Sequence, residues 1–204
     1  DYNIGFKQLI GDYSSIGITA NYAQWAGGGI RTFANTIINN TTVAGNTGLE
    51  GVIVVNTTVT FLSSIVAENG TGTSGLFITG TGTLISNGYN IFSEAPTGAV
   101  ATDQTNITAA QLNLGALANN GGITPTMLPL CGSVAIDKGN PADNSNAQNG
   151  TIAGTRDAGA AENAAILPTA SSFNATACAS YTTPSGQVVS TSSTINDTIP
   201  NSCG

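Results

Sequence analysis

Apolar and polar residues alternate in short runs along the first ninety residues, and the runs recur. Thr58-Val59-Thr60-Phe61 has the period of two expected of a strand with one buried face. Two longer stretches, GGIRTFANTIINNTTVAGN (28–46) and GVIVVNTTVTFLSSIVAEN (51–69), align without a gap at an offset of 23. Ile30 then falls on Ile53, Thr36 on Val59, Ile38 on Phe61, Val43 on Val66, Ala44 on Ala67 and Asn46 on Asn69. A weaker earlier copy is SSIGITANYA (14–23), with Ile18 and Asn21 each 25 residues before Val43 and Asn46. A later copy is GTLISNGYNIF (82–92). A period of about 20–25 residues with several short β-prone runs per unit predicts a β-solenoid over roughly residues 10–92. Leucine-rich repeats have a similar period, but their L-x-x-L-x-L pattern is absent.

In a solenoid each coil lies about 4.8 Å above the last, so positions one period apart become vertical neighbours. Ile38 and Phe61 are expected to form one inward ladder, with Thr36 and Val59 beside it, and Val43 and Val66 another. Asn46 and Asn69 stand just before Gly-rich bends, where stacked amides can bond to each other and to the turn backbone.

Composition narrows the function classes. Four basic residues (Lys7, Arg31, Lys138, Arg156) face eleven acidic ones, the net charge is −7, and there is no histidine. A nucleic-acid binder needs Lys and Arg to displace counterions from phosphates, so that class is excluded. The same deficit argues against an anionic membrane surface. The longest apolar runs, such as Val52–Val55, fall far short of the roughly 20 residues of a spanning helix. Asp1 already lies in patterned sequence and no signal peptide is evident, so a processed product or a piece of something longer is expected. With 7% charged residues, the surface is solvated by Thr, Asn, Ser and Gly, a palette that suits turns and stacked strands better than helices.

Several phrases in combination resemble a family of bacterial right-handed parallel β-helix surface proteins, choice-of-anchor proteins distantly similar to chlamydial polymorphic membrane proteins. GGI…NTTVAGN and SSIVAEN look like its coil phrases and LISNGYNIF like its closing coil. LGALANNGGITPTMLPLCGSVAIDKGNP (114–141) resembles its post-helix signature, and RDAGAAE (156–162) its terminal Asp-x-Gly-x-x-Glu. Cys131 and Ala161 depart from the family's usual residues. The tail CASYTTPSGQVVSTSSTINDTIPNSCG resembles the start of a repeat in very large secreted Bacteroidota adhesins. The resemblance implies an all-β chain: a right-handed parallel β-helix with closing loops over 1–163, a linker over 164–177, and a partial adhesin-type β repeat over 178–204. It further implies a non-enzymatic structural or adhesive module of a larger extracellular cell-surface protein, exported by the type IX route. The implied partners are glycans, or the surface of another cell or a solid. An exposed solenoid end would also allow self-association into filaments.

The rival reading is a polysaccharide-active enzyme, because parallel β-helices also host pectate lyases and polygalacturonases. Such sites need two or three acids converging on one face. Glu50, Glu68 and Glu94 are scattered, and at an offset of 23 Glu68 falls on Ile91. Arg31 falls on Val54 with no partner acid. No catalytic residue is assigned. A carbohydrate-binding module is a third reading, with Trp25 and Tyr22 as candidate sugar contacts and a cap over a loop or an open end as the blander role.

Asp137 and Asp157 belong to the family signature. They are expected to accept backbone N–H groups at a turn that closes the solenoid, neutralised by Lys138 and Arg156. No cofactor is expected. Asp137, Asn140 and Asp143 are weak calcium candidates in an oxygen-rich loop that does not fit the EF-hand template, and a solvated polar loop is favoured. Cysteines 131, 178 and 203 show no C-x-x-C pair. Cys178 and Cys203 bracket the tail repeat and are the expected disulfide, with Cys131 a buried free thiol or paired with a cysteine outside this sequence; a Cys131–Cys178 bridge is the alternative. Asp197-Thr198-Ile199 resembles the Bacteroidota O-glycosylation acceptor, with Thr198 as the site.

Overall fold

A computed structural model of the protein describes residues 16–19, 28–47, 51–70, 75–150, 152, 154–163 and 174–197. The chain divides into two compact units, Asp1–Ala164 and Ala165–Gly204. The first unit is built from short strands: β1 (Ile16–Thr19), β2 (Ile30–Thr32), β3 (Thr36–Asn39), β4 (Thr41–Ala44), β5 (Val52–Val55), β6 (Thr58–Leu62), β7 (Ile65–Val66), β8 (Leu76–Thr79), β9 (Thr83–Ser86) and β10 (Ile91–Phe92). They form three parallel sheets, ordered β1-β4-β7-β10, β2-β5-β8 and β3-β6-β9. Each consecutive trio of strands therefore supplies one strand to every sheet. The fold is all-β with stacked parallel sheets, and the helix α1 (Ala109–Leu112) is a single turn, closed by a capping box between Thr108 and Gln111.

The strands are short because bends interrupt them at recurring places. Asn40 (φ 45°) and Ser63 (φ 48°) follow β3 and β6, and Asn56 (φ 50°) and Gly80 (φ 66°) follow β5 and β8. Gly45 (φ 66°) and Glu68 (φ 52°) stand just past β4 and β7. Each reverses the chain through the left-handed region, which Gly and Asn tolerate best. The bends also bond vertically: Asn40 N donates to Leu62 O at 3.0 Å and Gly45 N to Glu68 O at 3.0 Å.

The predicted ladders are present in two of the sheets. Ile38 pairs with Phe61 and Thr36 with Val59. Val43 pairs with Val66, and Ile18 with Val43. The register of β2 on β5 differs from the gapless alignment. Ile30 lies opposite Val52, not Ile53, and Arg31 opposite Ile53, not Val54. Three residues separate Thr32 from Thr36 but four separate Val54 from Val59, so the extra residue is taken up between strands. Further along, the offset grows to 24 at Val52–Leu76, 25 at Val59–Leu84 and 26 at Ile65–Ile91. Ile91 therefore lies on Ile65, which overturns the expected placement of Glu68 on Ile91.

Two cores flank the β1-β4-β7-β10 sheet. The inner one gathers Ile38, Val43, Val52, Val54, Val59, Phe61, Val66, Leu76, Leu84 and Phe92. Within it the Phe61 and Phe92 rings meet edge to face, centroids 5.7 Å apart. The second core joins Ile65, Ala67 and Ile91 to Leu112, Ala135 and Ala158. The signature loops after β10 thus lie laterally over the outer face of this sheet, so β4 and β7 are buried throughout. Ser63 O accepts from Gly159 N at 2.8 Å and Thr42 Oγ1 from Ala160 N at 3.0 Å. Gly159 (φ 96°) has no room for a side chain: a Cβ there would stand 2.8 Å from Ile65 Cδ1. At the far end, Leu76, Ile78 and Leu84 line a cleft of about 430 Å³ beneath Pro96, Thr97 and Gly98.

The second unit contains an antiparallel pair, β11 (Tyr181–Thr182) and β12 (Val188–Val189). Thr183 O accepts from Gly186 N at 2.9 Å, closing the Thr-Pro-Ser-Gly turn, with Gly186 at φ 93°.

Candidate functional site

Three groups of residues bear on chemistry: the Asn bends, the buried charges of the closing loops, and the outer faces of the sheets. At the first, Asn46 Nδ2 donates to Asn69 Oδ1 at 2.8 Å and Asn46 N to the same oxygen at 3.2 Å. Asn69 Nδ2 donates to Val43 O at 2.7 Å. These amides need glycine opposite them. A Cβ on Gly51 would lie 2.8 Å from Asn69 Cβ, and one on Gly29 would lie 3.1 Å from Asn46 Nδ2. The sequence carries this signal as Gly-apolar pairs at 29–30, 51–52 and 75–76, just ahead of β2, β5 and β8. A second polar ladder went unforeseen. Ser64 Oγ accepts from Thr41 N at 3.2 Å, and Asn90 Oδ1 accepts from Ser64 N at 2.9 Å. Asp103 Oδ1 then accepts from Asn90 Nδ2 at 3.0 Å. Both ladders are structural, because every member spends its polar atoms on its neighbours.

The closing loops bury Arg156, Asp157 and Glu162 almost completely, at 1%, 1% and 3% exposure. Asp157 Oδ1 accepts from Asp137 N at 2.8 Å and Oδ2 from Asn163 N at 2.7 Å. Glu162 Oε2 accepts from Asp157 N at 3.0 Å. Burial pushes the Asp157 carboxyl up to about 7; the Asn163 and Asp137 N–H groups oppose this, and the charges of Glu162 and Asp137 add to it. Arg156 Nη1 donates to Ser145 O at 2.5 Å, and its Nε stands 3.9 Å from Asp143 Oδ2. Burial lowers the Arg156 pKa, against the nearby charges of Asp143, Glu162 and Asp157. Asp143 is committed on both oxygens: Oδ2 to Asn40 Nδ2 at 2.6 Å, Oδ1 to Ser145 N at 2.9 Å and Ser145 Oγ at 2.6 Å. Asp137 is exposed, in a left-handed conformation at φ 56°. Among the described residues no three acidic, Cys or His side chains converge as a metal site would need. The cluster pins the loop after β10 to the bend after β3. Within it Asp157 and Glu162 are buried, Asp143 is partly exposed and Asp137 is exposed.

Glu68 and Glu94 do not act as a pair. Glu94 Oε1 accepts from Leu76 N at 2.7 Å. Its pKa is raised by burial, opposed by the Leu76 and Gly75 N–H groups, and that of Glu68 is raised by burial alone. Neither shift involves the other carboxylate.

The β3-β6-β9 sheet keeps its outer face open. Ile37 pairs with Thr60, and Thr60 with Ile85, giving an outward column in which Ile37 is 73% and Ile85 50% exposed. Beside it Thr57 Oγ1 donates to Asn35 Oδ1 at 3.1 Å, Thr58 N to the same oxygen at 3.3 Å, and Thr58 Oγ1 bonds Thr83 Oγ1 at 2.9 Å. On the β2-β5-β8 sheet, Arg31, Ile53 and Phe77 stack in register; Arg31 and Phe77 are exposed but Ile53 between them is buried, and the Arg31 guanidinium lies 4.9 Å from the Phe33 ring centroid.

Trp25, Tyr22, Thr198 and Cys203 lie outside the described residues. Cys178 is a free, exposed thiol, so the expected bridge to Cys203 and the alternative bridge to Cys131 are both corrected. Cys131, expected as a buried free thiol or paired with a cysteine outside this sequence, is disulfide-bonded, which corrects the free-thiol expectation. Bracketing a repeat in sequence did not bring Cys178 to a partner; the tail closes instead at Tyr181 opposite Val189. Asp197, beside Thr198 in sequence, accepts hydrogen bonds from Ser185 N and Oγ, which hold its carboxyl below the usual range.

The chain matches no protein-family model, no curated protein and no solved structure. The family resemblance therefore rests on the quoted motifs. Among the described residues no helix is long and apolar enough to cross a membrane.

Proposed function

We propose that the first unit is a right-handed parallel β-helix serving as a non-enzymatic structural and adhesive module of a larger extracellular bacterial surface protein. The observation that carries this is the in-register stacking of three parallel sheets whose bends repeat the same backbone conformation. A chain in which each coil is templated by the last makes a stiff support that presents side-chain columns along its length. The coil and closing motifs support the surface-protein assignment. The non-enzymatic reading is supported by the placement of the acids: Asp157 and Glu162 are sealed under the closing loops, and Glu94 is occupied by a backbone amide.

Adhesion is tested with beads carrying the purified chain, applied to bacterial cells, host cells and insoluble polysaccharides. Retention above albumin-coated beads on at least one surface is expected. Retention equal to albumin on every surface would refute the adhesive role. Release of reducing ends or unsaturated sugars from pectin or alginate, lost in Asp157→Asn or Glu68→Gln, would overturn the non-enzymatic assignment.

A further inference from the structure

We infer that the open outer face of the β3-β6-β9 sheet is a docking platform for an uncharged, β-linked polysaccharide ribbon; this rests on the adhesive reading and names its ligand class and site. The face has two kinds of column side by side. Ile37, Thr60 and Ile85 form a largely aliphatic one, and Asn35, Thr58 and Thr83 form an amide–hydroxyl one. Vertical neighbours are about 4.8 Å apart and alternate residues along a strand about 6.6 Å apart. A β-linked neutral glycan is a flat ribbon with ring C–H groups on its faces and hydroxyls along its edges. Laid along the columns, its C–H face covers the aliphatic residues while its edge hydroxyls meet the Asn and Thr side chains.

Three features favour this occupant over others. None of the six side chains is charged, although the chain carries a net charge of −7, so the face suits a neutral ligand and the whole molecule repels acidic glycans. The patch spans only roughly 10 by 7 Å, on the order of 200 Å² with margins, against about 800 Å² per partner for a stable protein interface. A second copy or a folded protein is therefore a poor fit, and a short run of sugars is a good one. The polar column is held in place by its own hydrogen bonds, so little side-chain entropy is lost on binding. The equivalent outer positions of the next sheet, Thr42 and Ile65, are covered by the chain's own Gly159 and Ala160. Among the described residues Ile37 and Ile85 have no such cover.

The test titrates the ¹⁵N-labelled full chain with cellohexaose and chitohexaose and measures its retention on insoluble cellulose and chitin. Amide shifts concentrated in β3, β6 and β9, with retention on at least one polysaccharide, are expected. Ile37→Asp with Ile85→Asp should weaken binding by about tenfold or more, while Phe77→Asp on the neighbouring face leaves it unchanged. If the double variant does not show the native circular dichroism spectrum, Thr58→Ala with Thr83→Ala takes its place, with weakening again expected. No shifts and no retention, shifts centred on another face, or a folded variant binding within about twofold of the native chain would each overturn the platform. Beads that still adhere to cells while neither oligosaccharide binds would sink the platform and leave the adhesive role standing. Loss of both would sink both.

Discussion

Asn69 gives the sharpest test of the stacked bends. Its side chain makes three hydrogen bonds to the coil below: Oδ1 accepts from Asn46 N and Asn46 Nδ2, and Nδ2 donates to Val43 O. Replacing it with Leu, of similar size, removes all three. Val43 O keeps a bond from Ala67 N at 3.2 Å, so the lasting loss falls on Asn46. A buried donor left unpaired costs about 1–3 kcal/mol, and two affected donors with partial relaxation give about 2–4 kcal/mol in all. For a unit of this size that is a fall in Tm of roughly 4–16 °C. Asn69→Asp carries a distinct signature. Its Oδ1 can still accept from Asn46, but the other oxygen now faces the Val43 carbonyl. Protonated, that oxygen donates to the carbonyl and restores the native pattern; ionised, it places a buried charge against a carbonyl. The folded-state pKa is therefore raised above the unfolded value of about 3.9. The sign follows: the variant lies nearest the native protein below pH 4, and its deficit grows as pH rises through the raised value, then levels off. Urea unfolding followed by circular dichroism, with native and variant chains compared at each pH from 4 to 8, measures it. An Asn69→Leu chain within about 0.5 kcal/mol of native at pH 7 would show that the ladder contributes nothing. A pH-independent Asn69→Asp deficit would refute the bonding pattern assigned here.

Gly51→Ala forces a methyl to within 2.8 Å of Asn69 Cβ and is expected to cost about 1–3 kcal/mol, read by the same unfolding assay. Phe61→Ala removes a fully buried ring and is expected to cost about 3–5 kcal/mol, whereas Ile37→Ala, on the exposed side of β3 and one residue before Ile38, the vertical neighbour of Phe61, is expected to stay within about 0.5 kcal/mol. Asp157, raised from 3.8 to about 7, makes the native chain lose stability as pH climbs between those values, because the folded state holds the proton more tightly; Asp157→Asn should flatten that part of the pH–stability curve. Cys178 should be alkylated by maleimide in the folded chain without reductant, with Cys131 protected until the chain is reduced, as peptide mass mapping would show.

How much was legible beforehand depended on the range over which each signal acts. The vertical pairs Ile38–Phe61 and Val43–Val66 were readable because inward residues must be apolar in every coil, which imprints a period on the chain. Asn46–Asn69 was readable because the bend repeats the same chemistry. Ile30–Ile53 failed because the number of residues between strands changes from coil to coil, and a gapless alignment cannot register that. The same drift misplaced Glu68. The Ser64–Asn90 ladder was missed because its members differ in residue type and in spacing, although their hydrogen bonds serve the same purpose.

The sequence by itself determined the all-β character, the recurring strands and the inward columns, since these follow from local alternation and from the need to bury Val, Ile and Phe in each coil. Only the tertiary structure decided the register of each sheet, the sideways seating of the closing loops on β4 and β7, the free state of Cys178 and the open Ile37–Thr60–Ile85 face. Those depend on contacts between residues far apart in the chain, such as Gly159 on Ser63 and Ala160 on Thr42. Whether a given outer face is sealed or left open is fixed by which distant segment reaches it, and no local pattern of residues carries that information.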